Sequence, residues 1–145
     1  MSPEQRRAIE WECTRLVNLY ALLNDEARWD EVAALYAEDG LMTRPTAPDA
    51  PIVGREALLA SFRGRPPRAS RHVCANIVVD VESETSASAS SVILLFTGSL
   101  DPEGGLPVRD EGPPLVGTYR DRFVLTGDGW RFAERRGSLS FRSAG

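Results

Sequence analysis

Residues 114–141, PLVGTYRDRFVLTGDGWRFAERRGSLSF, read as two long strands joined by a tight turn at GDG (127–129). Both arms are rich in the β-branched and aromatic residues that fit a pleated, half-buried surface. Working back along the chain, RHVCANIVVDVE (71–82) and SASSVILLFTGSL (88–100) have the same character, with SETSAS (83–88) as a hairpin turn. DPEGGLPVRDEGPP (101–114) reads as a longer, mobile connection. Ahead of the strands, Ile9, Cys13, Leu16, Tyr20 and Leu23 step by four, three, four and three, the spacing of one helical face, which predicts a helix from Pro3 to Leu23. Asn24 and Asp25 should break it, because both compete for backbone hydrogen bonds and favour turns. A second helix is expected from Trp29 to Glu38, with Asp30 and Glu31 in its first turn and Gly40 placed to stop it. The three prolines of RPTAPDAPIVG (44–54) deny a central strand. REALLASF (55–62) then gives a third helix, ended by RGRPP (63–67). Three helices followed by four long antiparallel strands predict a single α+β domain over residues 1–145, its helices covering one face of a curved sheet.

Composition removes several chemistries. The chain has 145 residues, 42% hydrophobic and 26% charged, which is ordinary for a globular domain. Its strongest apolar run, Val92 to Phe96, is far short of a bilayer span, and MSPEQRRAIE lacks the apolar segment of a secretion signal. A cytoplasmic protein with no membrane partner is the expectation. All 17 basic residues are Arg, so Schiff-base chemistry, a pyridoxal phosphate anchor and a phosphate-loop lysine are excluded. One histidine (His72) and two distant cysteines (Cys13, Cys74) cannot build a multi-histidine zinc site or a paired-cysteine redox centre in one chain. No cofactor or metal is expected, although an all-carboxylate site for a hard cation stays formally open. The net charge of −4 gives no footprint for nucleic acid.

Four strings, in order, carry a resemblance: LYALLNDEARWDEVAALYAEDG (19–40), VGREALLASF (53–62), SRHVCANIVVDV (70–81) and GTYRDRFVLTGDGWRFAERR (117–136). Together they resemble the SnoaL-like branch of the nuclear-transport-factor-2-like superfamily, over nearly the whole chain. The resemblance implies a cone of curved sheet and helices enclosing a pocket. The superfamily includes scytalone dehydratase, ketosteroid isomerases, a hexachlorocyclohexane dehydrochlorinase, polyketide cyclases and non-catalytic dioxygenase subunits, so fold alone does not choose a function.

The pocket residues must choose. NDEARWD (24–30) and SRHVCAN (70–76) resemble the segments that pair an Asp with a His in the dehydratase and the dehydrochlorinase, which carries that dyad over to Asp25 and His72. An ionised Asp accepting from one imidazole nitrogen fixes the tautomer and leaves the other nitrogen free to take a substrate proton. The imidazolium can then protonate a leaving hydroxyl. The other reading makes Asn24 and Asp25 turn residues and His72 a structural hydrogen bonder.

Strand alternation puts His72, Cys74 and Asn76 on one face, expected to be the cavity side, and Val73, Ile77, Val79 and Val81 mostly on the other. Asn76 is a substrate hydrogen-bonding candidate. Cys74 is either a ligand contact or a packing thiol. Tyr20 resembles the isomerase tyrosine that donates to an oxyanion, but GLMTRP (40–45) places Arg44 where that family has its catalytic Asp. Arg135, in WRFAERRG (130–137), resembles a pocket arginine of the dehydrochlorinase that can stabilise an anion, or else belongs to a solvated face or an ion pair with Glu134. Tyr119 and Asp121 share a strand face in TYRDRF (118–123), so either is a candidate to enter the cavity, and resemblance to a cyclase group with an Asp on one of these strands makes Asp121 a candidate second acid.

Two functions compete. The first is a cofactor-free dehydratase, cyclase or isomerase acting on a small hydrophobic molecule of aromatic, terpenoid or polyketide type, held by apolar walls. The second is a non-catalytic binding or oligomerisation module. Asp25 and His72 within hydrogen-bond reach inside a cavity favour the enzyme, whereas a dyad in solvent or a filled cone favours the module. In either case a homodimer packed through the open sheet face is expected.

Overall fold

The structure, a computed structural model, describes residues 1–142 and 144. Helix α1 (Pro3–Asp25) starts in a capping box: the Ser2 hydroxyl accepts from the Gln5 backbone N–H at 3.1 Å, and the Gln5 side chain accepts from the Ser2 N–H at 2.7 Å. The predicted stripe of Ile9, Cys13, Leu16, Tyr20 and Leu23 is its buried face. After α2 (Trp29–Ala34) come strands β1 (Tyr36–Arg44) and β2 (Ala47–Val53), helix α3 (Arg55–Arg63), and then β3 (Ala69–Val81), β4 (Ser86–Ser99), β5 (Val108–Arg109), β6 (Leu115–Thr126) and β7 (Gly129–Leu139). Seven strands form one curved sheet in the order β2-β1-β7-β6-β4-β3, with β5 added beside β4.

The α+β class stands, with two local corrections. The second helix stops at Ala34 instead of Glu38, because Tyr36 onward is needed as a central strand. There β1 runs parallel to β7, beginning with the Phe132 N–H donating to the Leu35 carbonyl at 2.9 Å. Gly40 lies within that strand, where a Cβ would meet Tyr36 Cβ at 2.9 Å. The proline-rich segment is not a central strand, as expected: it forms β2 at the sheet edge, where missing N–H groups are tolerated. Residues 101–114 fold back on β4: β5 pairs with Gly98 and Ser99, and Thr97 Oγ1 donates to Asp110 Oδ2.

Behind the inner face of the sheet, Tyr20, Tyr36, Phe62, Phe123 and Phe132 form the aromatic centre of the core, in edge-on and tilted contacts 5.0–6.4 Å apart. At the far end of β1 the chain passes very close to β7. The Gly137 N–H donates to Thr43 Oγ1 at 3.0 Å, and a Cβ on Gly137 would meet the nitrogen and Cδ of Pro45 at 2.7 Å. Only glycine permits this approach, and it sets the β1–β2 turn against the mouth of the cone. Gly137→Ala is therefore expected to destabilise the fold by about 1–3 kcal/mol, read as a lower urea midpoint. Gly127→Ala, with open space around its Cβ position, should leave the midpoint unchanged.

Candidate active site

Helix α1 ends by delivering Asn24 and Asp25 to the start of β3. The Asp25 carboxylate accepts three hydrogen bonds there: Oδ2 from the His72 backbone N–H at 2.8 Å, and Oδ1 from Ser70 Oγ at 3.0 Å and from His72 Nδ1 at 2.5 Å. Both side chains are shielded, 12% of His72 and 7% of Asp25 remaining exposed. With Nδ1 facing a carboxylate, the proton belongs on Nδ1, and Nε2 has no hydrogen-bonding protein partner among the described residues.

His72 stands in the wall of a cavity of about 360 Å³. Tyr20 and Tyr119 share that wall with Met42, Ile93, Leu95 and Leu115, and the β1–β2 turn closes one side. A second hollow of about 440 Å³ is also bordered by His72 and is lined by Asp25, Ser70 and Trp29. Both hollows are bordered by Arg65 and Arg68.

The tyrosines are linked. Tyr20 and Tyr36 hydroxyls are 2.9 Å apart, and Tyr20 Oη also lies 3.5 Å from Met42 Sδ. Burial pushes the Tyr20, Tyr36 and Tyr119 phenols above their ordinary range, so each stays protonated and available as a donor. Tyr36 does not line the cavity; its hydroxyl shares a hydrogen bond with that of Tyr20, whose O–H also reaches Met42 Sδ.

Arg135 and Asp121 take a different place from the one expected. Arg135 is completely buried, with its guanidinium carbon 3.8 Å from the Tyr119 ring centre, 4.4 Å from that of Tyr20 and 4.9 Å from that of Phe132. Its Nε is 3.1 Å from Asp121 Oδ1, a charge contact without an aligned hydrogen bond. Burial opposes the charge on Arg135, but the adjacent Asp121 carboxylate holds it firmly protonated. Burial likewise pushes the Asp121 carboxyl up to about 6, against the pull of Arg135. Neither residue lines the cavity. The pair sits behind the tyrosine rings, outside the cavity wall where a substrate contact and a second acid were expected, and the solvated-face reading of Arg135 fails because the side chain is buried. Glu134 instead pairs with Arg136, at 3.4 Å.

Asn76 is also displaced. It is exposed at a β-bulge, with φ of +52° and a register shift between Ala75 and Val78. The extra residue reverses the alternation, so Ile77, Val79 and Val81 face the core together with Cys74, and Asn76 faces away. Cys74 packs against that core rather than lining the cavity, and burial raises its thiol.

The structure adds four contributors, of which Tyr36 and Arg65 escaped the sequence reading, while Asn24 and Arg44 were noted there without these roles. Tyr36 was hidden in a stretch that reads as helix. Arg65 sat in what reads as a helix stop, yet its guanidinium lies over the Phe62 and Trp29 rings at 4.9 and 5.6 Å and donates to Asn24 Oδ1 at 3.0 Å. Asn24 is buried and also donates to the Tyr20 carbonyl at 3.3 Å, so it is more than a helix breaker. Arg44 enters the cavity wall while donating to Ser61 Oγ.

Comparison with known proteins places this geometry in a family. The model of the SnoaL-like domain matches residues 5–136. The chain belongs to the SnoaL-like family. No curated protein sequence matches it. Among solved structures, this SnoaL-like chain is similar to a candidate scytalone dehydratase of Novosphingobium aromaticivorans DSM 12444, at 25% identity and a TM-score of 0.80, over 97% of this chain and 89% of that one. A protein of the same organism described as nuclear-transport-factor-2-like with a cystatin-like fold also matches at 25% identity, with a TM-score of 0.73 over 97% and 85% of the two chains. A type 2 hexachlorocyclohexane dehydrochlorinase shares the fold, at 15% identity and a TM-score of 0.78 over 97% and 90%. No helix of the described residues is long and apolar enough to cross a membrane.

Removing the Asp121 carboxylate would leave Arg135 buried without a counter-charge. Asp121→Asn is expected to cost about 3–5 kcal/mol of unfolding free energy, measured by urea titration. A near-neutral result would mean that the pair does not support the tyrosine wall.

Proposed function

We propose that this protein is a cofactor-independent acid/base enzyme, a dehydratase, cyclase or isomerase, in which His72 moves the proton and Asp25 orients it. The observation that carries this reading is the contact of 2.5 Å between Asp25 Oδ1 and His72 Nδ1, on a shielded histidine whose other nitrogen is unpartnered in a cavity wall. A structural histidine would be expected to have both ring nitrogens satisfied, and a module for binding alone would not need a carboxylate locked in place by three donors. The solved relative named as a candidate scytalone dehydratase supports the same reaction class.

In a dehydration, His72 Nε2 takes the proton next to a substrate carbonyl. The C–H electrons pass into an enolate, and the Tyr20 hydroxyl donates to the enolate oxygen. Collapse of the enolate forms the C=C bond and breaks the C–O bond to the β-hydroxyl, which takes the proton from the imidazolium and leaves as water. Protons and electrons balance without an external oxidant, reductant or metal. In an isomerisation the imidazolium returns the proton to another carbon. The aliphatic and aromatic walls suit a small molecule with an apolar body.

Elimination on 5-nitrobenzisoxazole tests the proton-abstracting step without knowledge of the natural substrate, since it needs only a base in an apolar pocket. His72→Ala is expected to lower this rate by a factor of about 100 or more while the circular dichroism spectrum and melting temperature are kept. Asp25→Asn should reduce it as well, because the imidazole loses its tautomer restraint. An undiminished rate in folded His72→Ala would overturn the proposal.

A further inference from the structure

The cavity wall is not only apolar. Arg44, Arg65 and Arg68 converge on it from the end of β1 and from the α3–β3 connection, and no Asp or Glu is among the described residues that line it. None of the three makes an ion pair with a carboxylate among the described residues, although the chain as a whole carries a net charge of −4. Their visible partners are neutral: Arg44 donates to the hydroxyl of Ser61, and Arg65 to the side-chain oxygen of Asn24. Arg44 Nε is buried without any hydrogen-bond partner.

Three like charges around one opening repel one another, and the low-dielectric wall strengthens that repulsion. Arg65 shows the strain: burial, and then the proximity of Arg44 and Arg68, lowers its pKa. Its guanidinium is nonetheless held in one place, over Phe62 and Trp29 and against Asn24, so it is a rigid fork rather than a wandering surface charge. A fold that keeps three arginines without a carboxylate partner beside an otherwise greasy chamber is prepared for an anion. Asp25 makes no ion pair with any of them; its two oxygens accept from Ser70 and His72.

We propose that the substrate is an acid: an apolar, aromatic or polyketide-like body that enters between Tyr20, Tyr119 and Leu95 and carries a carboxylate bound by Arg44, Arg65 and Arg68. This deepens the enzymatic reading above and rests on it for the word substrate, but the anion site itself is independent of proton transfer. Arg65 and Arg68 border both hollows and Arg44 lines the chamber alone, so a carboxylate held among them leaves the apolar body in the chamber that His72 also lines.

Calorimetric titration of the intact protein with 2-naphthoate and its neutral analogue 2-naphthamide, in mildly alkaline buffer of low salt, tests this. Naphthoate is expected to bind at least about tenfold more tightly than naphthamide, the discrimination of one charge-assisted contact. Arg65→Gln and Arg68→Gln should each erode that ratio. Arg68 is exposed, so its variant keeps the test available if Arg65→Gln does not fold. His72→Asn should preserve the ratio, since it removes the base and leaves the arginines. Equal binding of the two probes, no binding of naphthoate, a ratio untouched by the arginine variants, or a ratio lost in His72→Asn would overturn the proposal. Elimination on 5-nitrobenzisoxazole would separately report whether the base still works, so the two readings fail distinguishably.

Discussion

The carboxylate of Asp25 is the tie on which the site depends. It joins the last residue of α1 to the first turns of β3 through three hydrogen bonds across 45 to 47 positions of sequence. Helix dipole physics does not favour a carboxylate at a helix C-terminus, so its place there is stabilised by what it binds. By holding the backbone of His72 with one oxygen and its ring with the other, it fixes both where the imidazole stands and which nitrogen is free. The same tie sets the helix end against the mouth of the cone and thereby the distance between His72 and the Tyr20 one helical turn earlier.

A second constraint lies beneath the cavity floor. The buried Arg135 guanidinium is sandwiched by aromatic faces and compensated by Asp121, and the rings it stacks on are the tyrosines that form part of the cavity wall. Such a pair is weak evidence for stability as such, because desolvation offsets much of the attraction. Its consequence here is positional: Tyr20 and Tyr119 have a cation at their backs, and the Tyr20 hydroxyl is held 2.9 Å from that of Tyr36. The acid/base couple and the tyrosine donors are thus supported by separate devices that meet at one cavity.

The sequence disclosed the frame better than the furniture. The helical stripe from Ile9 to Leu23 was legible because burial repeats with helical period, and the long strands from Arg71 onward because β-branched runs are bounded by turns. The Asp25 and His72 pair was legible only through resemblance, since nothing in composition relates residues 47 positions apart. Three features were not legible, each for a physical reason. Tyr36 lies where α2 gives way to β1, and a short apolar segment there fits either period. Asn76 was misassigned because a single bulge residue inverts every later side chain on β3, and a period-2 reading has no means of seeing one extra residue. Arg135 sits in an alternating charged string that resembles a wet surface, while its burial depends on the aromatic rings of α1, β6 and β7 gathering around it.

The central claim concerns one imidazole, and the chain contains only one histidine, which makes a direct measurement unambiguous. Nitrogen-15 and proton NMR of the imidazole side chain reads the protonation of each ring nitrogen in the neutral form. The account predicts a proton on Nδ1, shifted strongly downfield by its hydrogen bond to Asp25, and a bare Nε2 with the shift of an unprotonated ring nitrogen. A neutral ring carrying its proton on Nε2 would contradict the account, because the nitrogen facing the cavity would then have no lone pair to accept a proton.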